Sequence, residues 1–438
     1  MIISNYIKQR GIQFNMNNSN MKPIKVIDSI MGSGKTSAAI NLMNDNPDTN
    51  YIYITPYLDE VKRIKSSANR KFYEPEYYQN NKLYNSKFDS LHALLSEGKN
   101  IVSTHALFKR ANRETRELIY NNNYTLILDE VMDVVEKLPI KKNDLEGLFQ
   151  LGLIYEKEGY LLWNEEKTEW DSRYNDIRDM ALNYNLIKYM DNVLIWTFPA
   201  DIFKSFEDVY ILTYQFDAQI QKYYYDLHNI DYEYYIAEKG FNHYHFKPKP
   251  VDYSEKEIKL RIKEKINILE HPKLNRIGDE PFTLSKNWYK NSSDPVLNQL
   301  KRHTENYYRN IVNSKANENI WTTFKDYKGK LSGKRYTRAF VSLNTRATNE
   351  YRERFNLAYL LNRFPNTVID NFLRTKGIKI DKDYYAISEC LQWVWRSAIR
   401  DDKEINLYIP SHRMRVLLYK WLNDEIIEYN YESDKQKW

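Results

Sequence analysis

The segment Ser29 to Thr36, SIMGSGKT, lies between a short β-branched run, IKVID at 24–28, and a stretch of Ala, Ile, Leu and Met in a helical pattern. Holding a phosphate requires backbone N–H groups that converge on the anion. Glycines at 32 and 34 permit the positive-φ turns and close approach this needs. Lys35 then reaches the β and γ phosphates, and the Thr36 hydroxyl holds Mg2+. The segment predicts strand, phosphate loop and helix, with Met31, Gly32, Ser33, Gly34, Lys35, Thr36 and Ser37 around a nucleoside triphosphate. Position 29 carries Ser where the P-loop pattern asks for Gly.

Hydrolysis needs a carboxylate to hold the metal and another to polarise water. Leu126-Ile127-Leu128-Asp129-Glu130 supplies both at the end of an apolar run, where paired acids are unfavourable unless they face a cleft with a cation. Asp129 is the expected Mg2+ ligand and Glu130 the expected general base. Adjacent strand residues point to opposite faces, but at a strand end the turning backbone lets both address one site.

The elements that must position these groups alternate. YIYITP at 51–56, NIVSTH at 100–105, YTLILDEV at 124–131, VLIWTF at 193–198 and VYILTY at 209–214 are short apolar runs separated by helix-like segments, which predicts a mainly parallel sheet. Residues 1–21 read as a loose polar leader, and 231–250 as a crossing and linker. Ser254 and Glu257 form a capping-box pattern ahead of Ile258, Ile262, Ile266 and Leu269. Further strands are expected at 281–284, 339–343 and 405–410, with a helix over DYYAISECLQWVWRSAIR. The fold class is α/β, divided into residues 22–235 and 236–438.

Composition sets bounds. The chain has 438 residues, 42% hydrophobic, 15% aromatic and 28% charged, so it folds and does not resemble a disordered or membrane-embedded chain. No run approaches the roughly 20 apolar residues of a membrane span, and no secretory signal is recognisable; a cytoplasmic protein is expected. One cysteine, Cys390, excludes an internal disulfide framework. The net charge is 65 − 59 = +6, a mild bias compatible with a polyanionic partner.

With these motifs on the page, the sequence resembles superfamily 2 DExx-box helicases and translocases, and among them those encoded by bacteriophages of low-GC Gram-positive bacteria. MGSGKT (31–36) is similar to motif I and LDEV (128–131) to motif II; ITPYLDEV (54–61) is similar to the Ia segment and STHALF (103–108) to the later first-lobe segment that touches a nucleic-acid backbone. ILTYQF (211–216) stands where the coupling motif belongs, with WTFP (196–199) as competitor. Asn344 to Asn349 resembles motif V, and Gln392, Arg396 and Arg400 resemble motif VI, the arginines one residue further apart than is usual.

The resemblance implies two RecA-like P-loop NTPase lobes, each a mainly parallel sheet flanked by helices, that use ATP and Mg2+. It implies that Gln392 with Arg396 or Arg400 reaches the γ-phosphate from the second lobe. If one helix carries 392, 396 and 400, they share a face. Thr55, Thr104, Asn344, Arg346 and Thr348 fall at positions that contact nucleic-acid phosphates. The implied partner is nucleic acid, DNA rather than RNA, with possible replication proteins, in a monomer or weak oligomer in the host cytoplasm. Two functions follow: an ATP-dependent motor that unwinds DNA in phage-type replication, or an ATP-gated recruiter that clamps DNA without processive unwinding.

Overall fold

The computed structural model describes residues 22–79, 82–190, 193–343 and 349–431. The strands β1 (Ile24–Asp28), β2 (Asn50–Thr55), β3 (Ile101–Thr104) and β4 (Tyr124–Asp129) are rich in β-branched and aromatic residues and almost wholly buried, as parallel strands covered on both faces must be. The chain then leaves this sheet for β5 (Val135–Leu138), β6 (Ile154–Lys157), β7 (Tyr160–Trp163), β8 (Leu186–Tyr189) and β9 (Val193–Thr197). It returns with β10 (Asp208–Thr213), β11 (Tyr232–Lys239) and β12 (Tyr244–Pro248).

The first sheet has the order β12-β11-β1-β10-β4-β2-β3, all parallel except the β11–β12 hairpin. The excursion forms its own antiparallel sheet, β5-β9-β8-β7-β6. VLIWTF therefore belongs to this second sheet and does not continue the parallel series. Its strands alternate buried and exposed positions less regularly than a free-standing sheet, because its inner face shares one apolar core with the first sheet.

Residues 231–250, expected as a linker, supply two strands. Tyr232 and Tyr234 pair alongside Ile24 and Val26, so the first sheet runs past residue 235 to Pro248. The pattern of alternating Tyr is that of a half-buried edge ribbon, which sequence reading took for a polar crossing.

The second lobe is built on β13 (Ile266–Ile268), β14 (Asn319–Thr322), β15 (Asn356–Tyr359) and β16 (Ile405–Tyr408), parallel throughout in the order β13-β16-β15-β14. The α/β class with two mainly parallel sheets is as expected; several elements are not. Residues 281–284 form a turn, and 339–343 contribute only a single bridge, Phe340 to Trp321. The helix after Ser254 spans Lys256–Lys263, with the Ser254 hydroxyl accepting from the Lys256 N–H; Ile266 belongs to a strand. NIWT and NLAY were too short to signal strands beside their polar flanks. The helix Lys382–Val394 stops short of Arg396, so 392, 396 and 400 do not share a helical face.

The lobes meet through packed side chains. Ile30, Met31 and Tyr214 join the core formed by Trp393, Trp395, Met414 and Trp421. Trp421 Nε1 donates to the Tyr214 hydroxyl at 3.1 Å, Gln219 donates to Ser388 at 2.7 Å, and the Asp381 N–H donates to the Tyr223 hydroxyl at 2.9 Å.

Candidate nucleotide site between the lobes

Asp28, Thr55, Thr104, Asp129 and Thr213 all end parallel strands of the first sheet, so they collect along its carboxyl edge, where open α/β sheets carry their ligands. Register sets the distances: Asp28 is opposite Thr213, and Leu212 opposite Asp129, so one strand separates the phosphate loop from the acidic pair. Main-chain bonds lock this edge, with Ser29 N donating to Thr213 O at 3.2 Å and Glu130 N to Leu212 O at 2.9 Å.

The loop itself turns as its sequence predicts. Gly32 and Gly34 have φ of 81° and 90°, and Gly34 is the N-cap of the helix Lys35–Asp45. Nothing approaches a Cβ at Gly32, whereas one at Gly34 would lie 2.4 Å from the Tyr244 ring, which the β11–β12 hairpin lays over the loop. Lys35 Nζ donates to the carbonyls of Ser29 and Ile30, at 2.5 and 3.1 Å. Burial pushes its ammonium group below the usual lysine range, against the pull of Glu130, Asp28 and Asp129. The buried Ser33 hydroxyl has no hydrogen-bond partner among the described residues. Thr36 and Ser37 lie in the first helical turn, half-buried. Met31 packs toward the second lobe.

Asp129 is 9% exposed. Burial raises its carboxyl to about 7, helped by Glu130 and Glu60 and opposed by Tyr53 and Lys35. Glu130 takes a left-handed backbone, φ 65°, the turn that lets consecutive acids leave the strand together. His105 places Nε2 3.1 Å from the Asp129 carbonyl oxygen, fixing the strand end rather than joining the chemistry.

From the opposite lobe comes Arg396, 6% exposed, just past the helix Lys382–Val394. Its guanidinium donates to Ser342 O at 2.8 Å and Leu343 O at 2.7 Å. Burial lowers it to about 10, while Tyr57, Glu389 and Glu130 act to raise it; two of these three belong to the first lobe. The charges of Tyr57 and Glu130 thus reach Arg396 from the first lobe. Arg400 sits exposed in the turn Ala398–Asp401, where its charge acts on Asp401. The Gln392 amide nitrogen is buried and has no partner among the described residues.

Thr55 and Thr104 are cross-strand neighbours, but Thr55 is fully buried and its hydroxyl accepts from the Tyr57 N–H in the turn that leaves the strand. Thr104 is half-buried at the start of the helix His105–Phe108. Asn344, Arg346 and Thr348 lie outside the described residues. Of the two coupling candidates, 211–216 runs from between the phosphate loop and the acidic pair to the Tyr214 contact with Trp421, whereas 196–199 begins at the end of an antiparallel-sheet strand, with Trp196 and Thr197 paired in that sheet. Sequence reading missed Tyr53, Glu60 and Asp28; a tyrosine inside a strand carries no motif, and only the fold brings it to Asp129.

The donor set suits Mg2+ and a triphosphate: among the described residues, a buried hydroxyl without a partner and a lysine hydrogen-bonded to main-chain carbonyls accompany a desolvated carboxyl. Mg2+ is commonly held by one or two carboxylates together with substrate phosphates, and Asp129 is one such carboxylate at this edge. Among the described residues no helix is long and apolar enough to cross a membrane.

Comparison with known proteins gives matches along most of the chain. The YonV middle domain matches residues 135–196, which include the antiparallel sheet, and the YonV C-terminal Rossmann-like domain matches residues 260–422. Among solved structures, an apo XPD aligns over 92% of this chain and 96% of its own, at 11% identity and TM-score 0.49; an XPD helicase aligns over 97% and 98%, at 11% and 0.47. The SPbeta prophage-derived protein YonV of Bacillus subtilis (strain 168) is 49% identical over 415 residues, 92% of this chain and 100% of that protein. The chain belongs to the YonV family.

Proposed function

We propose that this protein is a nucleotide-driven motor of the superfamily 2 helicase and translocase kind, which grips ATP and Mg2+ between its lobes and acts on DNA in phage replication, in the bacterial cytoplasm. What supports the reading most is that the charge of Glu130 acts both on Lys35 of its own lobe and on the buried Arg396 of the other. The loop N–H groups and Lys35 bind the phosphates, and Thr36 with Asp129 would hold the metal. When bound, Mg2+ supplies positive charge that offsets the negative charge developing on the phosphoryl oxygens. Glu130 orients water and takes its proton. Arg396 leaves its carbonyl partners for the terminal phosphate, drawing the second lobe inward; loss of that phosphate releases it. Met31, Tyr214 and Trp421 transmit the movement because they already join both cores.

Lys35→Ala is expected to abolish ATP turnover, and Glu130→Gln to retain ATP binding while losing hydrolysis; normal hydrolysis by either removes the site assignment. Strand displacement from a duplex with a single-stranded flank tests the motor. Hydrolysis stimulated by DNA with no displaced strand favours a clamp that recruits other factors.

A further inference from the structure

One stretch of the second lobe is strongly basic. Residues 325–338, KDYKGKLSGKRYTR, carry six basic side chains and one acidic, 6 − 1 = +5. The segment joins β14 to the single bridge at Phe340 and holds the short helix Lys328–Leu331. Its three apolar side chains turn inward: Leu331 and Tyr336 are buried, and the Tyr327 ring packs 4.8 Å from that of Tyr289. Anchoring them leaves Lys325, Lys328, Lys330, Lys334, Arg335 and Arg338 all exposed on the outside.

We infer that this face is a binding site for the phosphate backbone of single-stranded nucleic acid. It rests on the reading of the chain as a nucleic-acid motor. Crowded like charges repel, and a polyanionic ligand would relieve that repulsion. A protein partner would look for a buried apolar or aromatic anchor, and none of the exposed large hydrophobic side chains falls in this segment. A phosphate backbone needs only charge at close spacing, and binds without sequence preference. The segment continues to Val341, Ser342 and Leu343, whose carbonyls accept from Trp393 and Arg396, so backbone contact here is mechanically joined to the arginine facing the nucleotide site.

Three of the six basic residues also serve the fold: Lys330 pairs with Asp294 at 2.8 Å, Arg335 donates to Ser314 O, and Lys328 lies over Phe340. The test therefore uses the full chain carrying K325Q, K334Q and R338Q together, with a fluorescent oligothymidylate followed by anisotropy at several salt concentrations. The thermal unfolding midpoint should stay with that of the wild type. Three lost charges should make the slope of log K against log salt shallower by about 2, at roughly 0.7 per phosphate contact, and weaken binding at low salt by tenfold or more. Unchanged slope and affinity in the folded triple variant overturn the site, and so does a wild-type chain that binds no oligonucleotide. A wild type that binds the oligonucleotide and loses affinity in the triple variant, yet hydrolyses no ATP, supports the site and refutes the motor.

Discussion

Replacing Arg396 by Gln separates catalysis from stability. A guanidinium lowered by burial from its usual range to about 10 carries about 3 kcal/mol of unfavourable charge desolvation. Against this stand two hydrogen bonds to carbonyl oxygens, at 2.8 and 2.7 Å, each contributing about 1.5–3 kcal/mol because the donor is charged. A neutral amide recovers about 1 kcal/mol for each it remakes, and removes the desolvation cost. The balance leaves folding stability within about 2 kcal/mol of the wild type. ATP hydrolysis is expected to behave otherwise: if Arg396 serves the terminal phosphate as proposed, its loss costs about 10³-fold in kcat or more, about 4 kcal/mol of transition-state stabilisation. Arg400→Gln is the control and should retain hydrolysis within about threefold, since that side chain is exposed on a turn outside the cleft. Urea unfolding and steady-state ATPase measurements on both variants decide the matter. R396Q hydrolysis near the wild-type rate, or a collapse confined to R400Q, would refute the assignment.

Asp129→Asn tests the acidic pair through pH. A carboxyl raised from 3.8 to about 7 makes the folded state bind a proton more tightly than the unfolded chain, so its contribution is favourable at low pH and is lost as pH rises from about 4 through 7. Without metal, D129N should therefore gain stability over the wild type at pH 8 by up to about 4 kcal/mol and show little gain at pH 4, read from urea midpoints; an equal effect at both pH values contradicts the raised carboxyl. Gly34→Ala should destabilise by about 1–2 kcal/mol from backbone strain at φ 90°, with more from the Tyr244 ring, and adding Tyr244→Ala should restore only the second part; full rescue by the double variant would remove the backbone argument.

How much of this was legible in sequence depended on whether the information was local. Ser29 to Thr36 announces itself because strand, glycine turn and helix are contiguous, and the same holds for Leu126 to Glu130. Val193 to Thr197 reads like its parallel counterparts, since a strand buried by sharing a core has the same composition whichever sheet it joins. The two arginines were ambiguous for another reason. The spacing of Gln392, Arg396 and Arg400 fits a helical face, but Trp395 closes the helix with its N–H on the Leu391 carbonyl, and the chain re-enters as a tighter turn at Ala398. One arginine is left inside and the other outside, a difference of tertiary packing that residue spacing does not encode.

The electrostatics of the site point in one direction for a specific reason. Had Lys35, Arg396 and Asp129 been formed as mutual ion pairs, each cation would be raised and the carboxyl lowered, the pattern that opposite charges impose on one another. The shifts run the other way in all three, with burial the largest cause each time. Lys35 and Arg396 both spend their hydrogen bonds on neutral main-chain oxygens instead. Desolvated groups held apart in this way suit a ligand that brings charge of both signs, and a metal-bound triphosphate is such a ligand: in the proposed site its phosphates would relieve the two cations and its metal the carboxyl. A ligand bearing one sign only would satisfy one side and worsen the other. Free triphosphate without Mg2+ should therefore bind the wild type more weakly than the metal complex, and D129N should erase most of that difference; metal-independent affinity in the wild type would show that Asp129 faces away from the bound nucleotide.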